Sequence, residues 1–184
     1  RHGGTPADFT WEVVDKSGTR LFFGGGPGEG PRTDSTLADD SGNIFMWSLR
    51  EMRDRDDNVV RYHNVRVDDD GIAAGGSVPG RELYLKRITY TGRGAADGPY
   101  SVTFVRDREL GEPRRKDVTI SARGGFKRVT ADLLRRIDVR LSDELIRRYE
   151  FNYVTGAFEK TLLTSISQFG ADGQLFNTHQ FEYF

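Results

Sequence analysis

The 184-residue sequence has no cysteine, which rules out a disulfide framework, a thiolate nucleophile and a cysteine-ligated metal. It has no apolar run near the ~20 residues of a membrane-spanning helix and no leader-like N-terminus. It also lacks net charge: 27 Lys and Arg against 28 Asp and Glu leave −1, with a pI near 6.4. No global field therefore draws it to nucleic acid or anionic lipid, and direct membrane insertion is not expected. Histidine is scarce. His2, His63 and His179 lie at none of the short spacings of a zinc motif, and no His-Glu-x-x-His occurs. The chain opens at Arg1 and closes on Gln180-Phe-Glu-Tyr-Phe184. Both ends read as cut from a longer polypeptide, so the missing leader leaves the compartment open.

What the sequence does have is a period-two rhythm. Apolar and aromatic residues alternate with charged ones, and the runs break at Gly, Asp, Asn and Ser clusters, as consecutive antiparallel hairpins require. Hydrophobic residues are 36% of the chain and charged residues 30%, a balance that suits antiparallel sheets with one face in water. Twelve Phe, seven Tyr and two Trp can supply much of a core from few positions.

A first hairpin spans Phe9 to Phe23, with Phe9, Trp11 and Val13 on one face. A second spans Ile44 to Val67, with Phe45, Trp47 and Leu49 together, and turns at 54–58. Strands follow near 82–91 and 99–107, where Ser101 and Thr103 point outward. A short strand covers 117–122, and two last strands cover 162–169 and 174–184. Residues 24–43 and 68–80 read as loops. At 130–151 the spacing of Leu134, Ile137, Leu141, Leu145 and Tyr149 fits a helix. The alternation of Tyr149, Phe151 and Tyr153 favours strands, with Ser142-Asp143 as the turn. The expectation is a single all-β segment, 1–184, of about eleven or twelve strands forming a twisted sheet or a sandwich.

Nothing catalytic rises above this rhythm. Asp54-x-Asp56-x-Asn58 opens like a calcium loop, but Val59 and Val65 stand where Gly and Glu are needed, so it reads as a capped turn. Asp68-Asp69-Asp70 reads as a solvated loop. Gly24 to Gly30 lacks the Lys-Ser/Thr of a phosphate cradle, and no Gly-x-Ser-x-Gly occurs. Residues 123–148 carry eight Lys or Arg against four Asp or Glu and read as a solvated strand face rather than a nucleic-acid platform. Trp11 and Trp47 could stack on sugar but sit on the more apolar face, so they read as core. The expected catalytic, cofactor-binding and metal residues are none, and no cofactor is expected.

The ordered segments resemble a known family. Phe9-Thr-Trp-Glu-Val-Val-Asp-Lys-Ser-Gly-Thr-Arg-Leu-Phe-Phe-Gly24 is similar to the W-x-V-x-D-x-x-G-T-x-x-x-x-G segment of toxin-complex (Tc) B subunits and SpvB-like virulence proteins. Trp47-Ser-Leu-Arg-Glu-Met-Arg-Asp54 with Asn58-Val-Val-Arg-Tyr62 resembles their next hairpin. Leu85 to Tyr90, Tyr100 to Phe104, Leu134 to Val139, Ile146 to Tyr153, Leu163 to Ile166 and Phe181 to Tyr183 follow in the family's order. Asp57 stands where the family often has Gly, and the Gly-rich stretch after Phe23 is an insertion.

The resemblance implies a stretch of the β-sheet shell, related to Rhs/YD repeats, that encloses a toxic segment. It implies a secreted or cell-surface setting, with other segments of the parent chain and a toxin-complex partner subunit as partners. The ADP-ribosyltransferase of SpvB-like proteins lies outside this region, and its Glu-x-Glu pair is absent here. The expectation is therefore a non-enzymatic structural segment whose inner faces pack Trp11, Trp47, Tyr62, Tyr90, Phe104, Tyr149 and Phe151. A binding module for glycan or protein, and a hydrolase with two converging carboxylates, are the competing readings.

Overall fold

The computed structural model describes residues 1–71 and 78–183. Its backbone is nearly all strand, and twelve of the strands share one sheet. Ten form a continuous antiparallel path in chain order: β1 (Trp11–Val14), β2 (Arg20–Phe23), β5 (Leu49–Arg53), β6 (Asn58–Asp69), β7 (Gly80–Arg93), β8 (Tyr100–Arg106), β11 (Leu134–Leu141), β12 (Glu144–Thr155), β13 (Thr161–Phe169) and β14 (Leu175–Gln180). Two hairpins are inserted without disturbing that order. β3 (Thr36–Ala38) pairs with β4 (Ile44–Trp47) as a separate sheet. β9 (Thr119–Ser121) pairs with β10 (Arg128–Thr130), which touches β7 in parallel at Arg128 and Arg81. One helical turn, α1 (Asp107–Leu110), follows β8. The architecture is thus an open sheet with small appended hairpins, not a sandwich.

The turns explain why the strand rhythm breaks at Asp, Gly, Asn and Ser clusters. In three of them an Asp N–H and carbonyl-side partner close a five-residue loop: Asp15 with Thr19, Asp39 with Asn43 and Asp54 with Asn58. In each, the Asp carboxylate also accepts backbone N–H groups two and four residues on. Such Asx turns satisfy the backbone locally. The fourth residue takes a positive φ: Gly18 at 86°, Gly42 at 85° and Asp57 at 62°. Asp57 therefore occupies a left-handed position where glycine carries no steric penalty.

The segment 130–151 is a hairpin, β11 and β12, closed by Ser142 at φ 51°. Helical spacing at Leu134 to Leu145 was coincidental: Ile137 pairs with Tyr149 across the hairpin on one face, and Asp138, opposite Arg148, is buried on the other.

Other expectations are corrected. The loop at 24–43 contains β3, whose Leu37 is fully buried. Ile44 to Arg53 is two strands, because Ser48 donates to the Ser35 carbonyl while its own carbonyl accepts from Gly24, handing the chain from one sheet to the other. β6 extends through Asp69 and β7 starts at Gly80, which narrows the 68–80 loop to the connection between them; residues 72–77 of it lie outside the described residues.

Register fixes two unlike faces. One cross-strand row reads Glu12, Phe22, Glu51, Arg61, Thr89, Ser101 and Arg140. The opposite face carries Val13, Leu21, Met52 and Val60, then Tyr62, Ile88, Val102 and Val139, with Tyr90, Tyr100, Phe104, Ile137 and Tyr149 alongside. The buried residues belong to the first face: Phe22, Glu51, Val59, Thr89, Ser101 and Asp138 are each under 5% exposed. Ser101 thus points into cover rather than outward. The aromatics expected to fill an inner core are half-exposed instead, and Trp11 is exposed at 39%. Leu37, Val129 and Ala131 complete a small core beneath the appended hairpins.

Candidate interaction surfaces

The charged face is held by guanidinium–carboxylate knots. Glu51 on β5 sits between Arg53 and Arg61, at 2.7 and 2.9 Å. Both arginines also donate to the Gly94 carbonyl, and Arg61 reaches Asp97 at 2.7 Å. The β7–β8 connection is so strapped across the face. That connection needs glycine at 98, where a Cβ would lie 1.9 Å from the Tyr90 carbonyl oxygen. Burial raises the proton affinity of Asp97, but the Arg61 hydrogen bond and charge outweigh it and lower the pKa. Glu12 is held low chiefly by its hydrogen bond from Arg20, with His2 adding to it.

A second knot joins the inserted segment to the sheet. Asp132 receives Arg108 through two donors and lies 3.4 Å from Arg106 Nε. Asp69, at the end of β6, takes Arg108 and Arg114. Asp107 accepts the Leu133 N–H, while the Leu133 carbonyl accepts the Asp107 N–H. Tyr84 accepts the N–H groups of Ala131 and Asp132 and lies under the Arg106 guanidinium at 4.8 Å. Asp69, Asp107, Arg108, Glu112, Arg114 and Asp132 line a recess of about 180 Å³. Asp69 is therefore a buried ion-pair partner, not the solvated loop residue its Asp-Asp-Asp setting implied. A third knot, around Asp138, gathers Arg136, Arg140 and Arg148.

The apolar face has a different character. Tyr90 and Tyr100 stack at 5.3 Å, and beside them Met52, Val59, Val60 and Tyr90 line a recess of about 460 Å³ with a mostly apolar wall. At the ends of the sheet, among the described residues, β1 pairs only with β2, and β14 only with β13. Phe176 on β14 is 74% exposed.

With this geometry in hand, two solved structures are similar in fold. The N-terminal domain of the effector protein SpvB from Salmonella typhimurium strain LT2 superposes with a TM-score of 0.68 at 17% identity, over 88% of this chain and 61% of that one. A chain in the crystal structure of TcdB2-TccC3-Cdc42 superposes with a TM-score of 0.70 at 15% identity, over 91% of this chain and 10% of that one. The likeness is one of fold. This chain spans about three fifths of the first of those chains and a tenth of the second. No protein-family model and no curated protein matches the sequence.

The residues singled out in the sequence are dispersed. His2 pairs with Glu12, His179 lies exposed on β14, and His63 is half-buried on β6, where desolvation lowers its pKa. Among the described residues no group of three or more His, Asp or Glu is placed to hold a metal ion. Asp54 caps its turn, as read from the sequence, and Asp56 donates its N–H to it. In the Gly24–Gly30 stretch, Glu29 accepts the Gly26 N–H and Arg32 donates back to the Gly24 carbonyl. Trp47 donates to the Phe9 carbonyl at 2.6 Å and meets Trp11 edge-to-face at 5.8 Å. The knot around Asp69 and Asp132 escaped the sequence reading because its partners are distant in the chain: Arg108 lies 39 residues from Asp69 and 24 from Asp132.

Proposed function

We propose that this chain is a non-enzymatic structural segment of a toxin-delivery protein of the Tc B-subunit and SpvB-like kind, one stretch of a β-sheet shell around a toxic payload. The observation that carries the reading is the half-exposed apolar face on a sheet whose two edge strands, among the described residues, each pair on one side only. Contiguous exposed apolar surface marks a place where other structure docks, and unpaired edges are templates for further strands. The likeness in fold to two toxin-related chains, one of them far longer, supports a part in a larger wall. Its partners would be neighbouring segments of the parent chain and a toxin-complex partner subunit, in a secreted or cell-surface protein.

Amide hydrogen exchange of the isolated chain and of the parent protein tests this. Residues 175–180 and 11–14 should exchange fast in isolation and slow by at least an order of magnitude in the parent. Equal exchange in both would sink the shell reading. The alternative, a β-rich module binding glycan or protein, is favoured by the stacked, half-exposed Tyr90 and Tyr100. It would gain if the parent left these edges free.

A further inference from the structure

The basic stretch at 123–148 is not uniformly compensated. Arg128 reaches Glu82 at 2.7 Å, Arg135 pairs with Glu112, and Lys127 donates to the Asp70 and Val78 carbonyls. Arg136, Arg140 and Arg148 instead share one carboxylate, Asp138, which is 3% exposed. Arg148 takes both its oxygens, at 2.7 and 3.2 Å. Arg136 and Arg140 stand off at 3.5 and 3.6 Å, beyond strong hydrogen-bonding distance; Arg140 spends one donor, Nη1, on the Asp143 carbonyl at 2.8 Å and keeps the rest of its fork. Arg136 Nε is buried with no hydrogen-bond partner. Along the same cross-strand row lies exposed Arg87, reached through Thr103, and Glu150 sits opposite Arg136. Four cations thus face two anions on the charged face of β7, β11 and β12, with Arg87 exposed and the other three half-exposed.

We propose that this patch docks an extended acidic polypeptide segment, whose carboxylates take the guanidinium donors that Asp138 leaves unfilled. The inference is independent of the shell reading. The spacing favours a peptide over a single oxyanion. Arg136 and Arg140 are four residues apart on one strand, or ~13 Å, with Arg148 one strand away, and an extended chain repeats its alternate side chains every ~7 Å. A lone phosphate fills one guanidinium fork. Asp138 acts as an internal competitor that pre-orients the forks without saturating them.

Fluorescence anisotropy of a labelled hexaglutamate peptide against the whole chain decides it. Binding at ~50 mM salt should weaken about tenfold or more at ~500 mM. Arg140→Gln should weaken it about fivefold. Asp138→Asn should tighten it, even while lowering stability, because the competitor is gone. Arg123→Gln, exposed and outside the patch, should change nothing. Absence of binding at low salt overturns the proposal. So does indifference to Arg140→Gln, or displacement of the peptide by an equal concentration of inorganic phosphate. If Asp138→Asn does not fold, Arg140→Gln with an unchanged urea melt carries the decision.

Discussion

The two faces of this sheet invert the usual expectation. The face rich in Glu and Arg is the closed one, with Glu51, Thr89, Ser101 and Asp138 nearly inaccessible. The face rich in Val, Ile, Tyr and Phe is the open one, with Tyr90, Tyr100, Phe104 and Tyr149 half-exposed. The long arginine side chains cover the charged face by lying over it, their stems packing and their forks taken by carboxylates everywhere but around Asp138. The apolar face has no such means of covering itself. Charge here supplies internal closure, and hydrophobicity supplies the surface that other structure can meet.

The largest expected effect separates the faces by stability. Glu51→Ala leaves the half-buried Arg53 and Arg61 without the carboxylate between them and should cost about 2–3 kcal/mol, read from urea unfolding. Tyr90→Ala on the apolar face removes a half-exposed ring and its stacking on Tyr100, and should cost about 1–2 kcal/mol. Equal losses would erase the distinction between the faces.

Association sharpens it in the other direction. Ile88→Thr with Val102→Thr should reduce self-association of the isolated chain about tenfold by sedimentation. Stability should fall by only about 1–2 kcal/mol.

Acid should act on the charged face and the Asx turns, not on the apolar face. Glu12 and Asp97 both have folded pKa values below their ordinary ones of 4.5 and 3.8. Their stabilisation is complete above those ordinary values and is lost as pH falls through the lowered ones. Glu12→Gln should flatten the decline in melting temperature below about pH 4.5, while the Ile88 and Val102 variants should keep it.

The smallest effect lies at a turn that belongs to neither face. Asp57→Gly relieves a positive φ and should gain a few tenths of a kcal/mol, offset partly by greater freedom in the unfolded chain. The Arg53 contact to Asp57 is lost with it.

Much of this fold was legible in the sequence. The strand rhythm, the Asx turns at Asp15 and Asp54 and the hairpin closing at Ser142 all follow from local pattern. Which face closes was not legible. Alternation says that Phe9, Trp11 and Val13 share a side, but only the partners of Glu12 and Phe22 across three strands reveal that the other side is covered. β3 was hidden because three residues flanked by Gly, Pro and Asp carry no measurable period. The Asp138 knot was half legible: the arginine excess was plain, but its convergence on one acid depends on β11 and β12 pairing in this register.

Strand order along the main path follows chain order, and this has a consequence for synthesis. Each new strand needs only the one made just before it, across a short loop whose closure entropy is small. The sheet can therefore be laid down from the N-terminus as the chain leaves the ribosome, one row at a time. Each row becomes the template for the next. The β3–β4 and β9–β10 hairpins show that whole detours fit between rows without breaking the sequence of addition. A wall built this way has no intrinsic length, and it can be extended by lengthening the message.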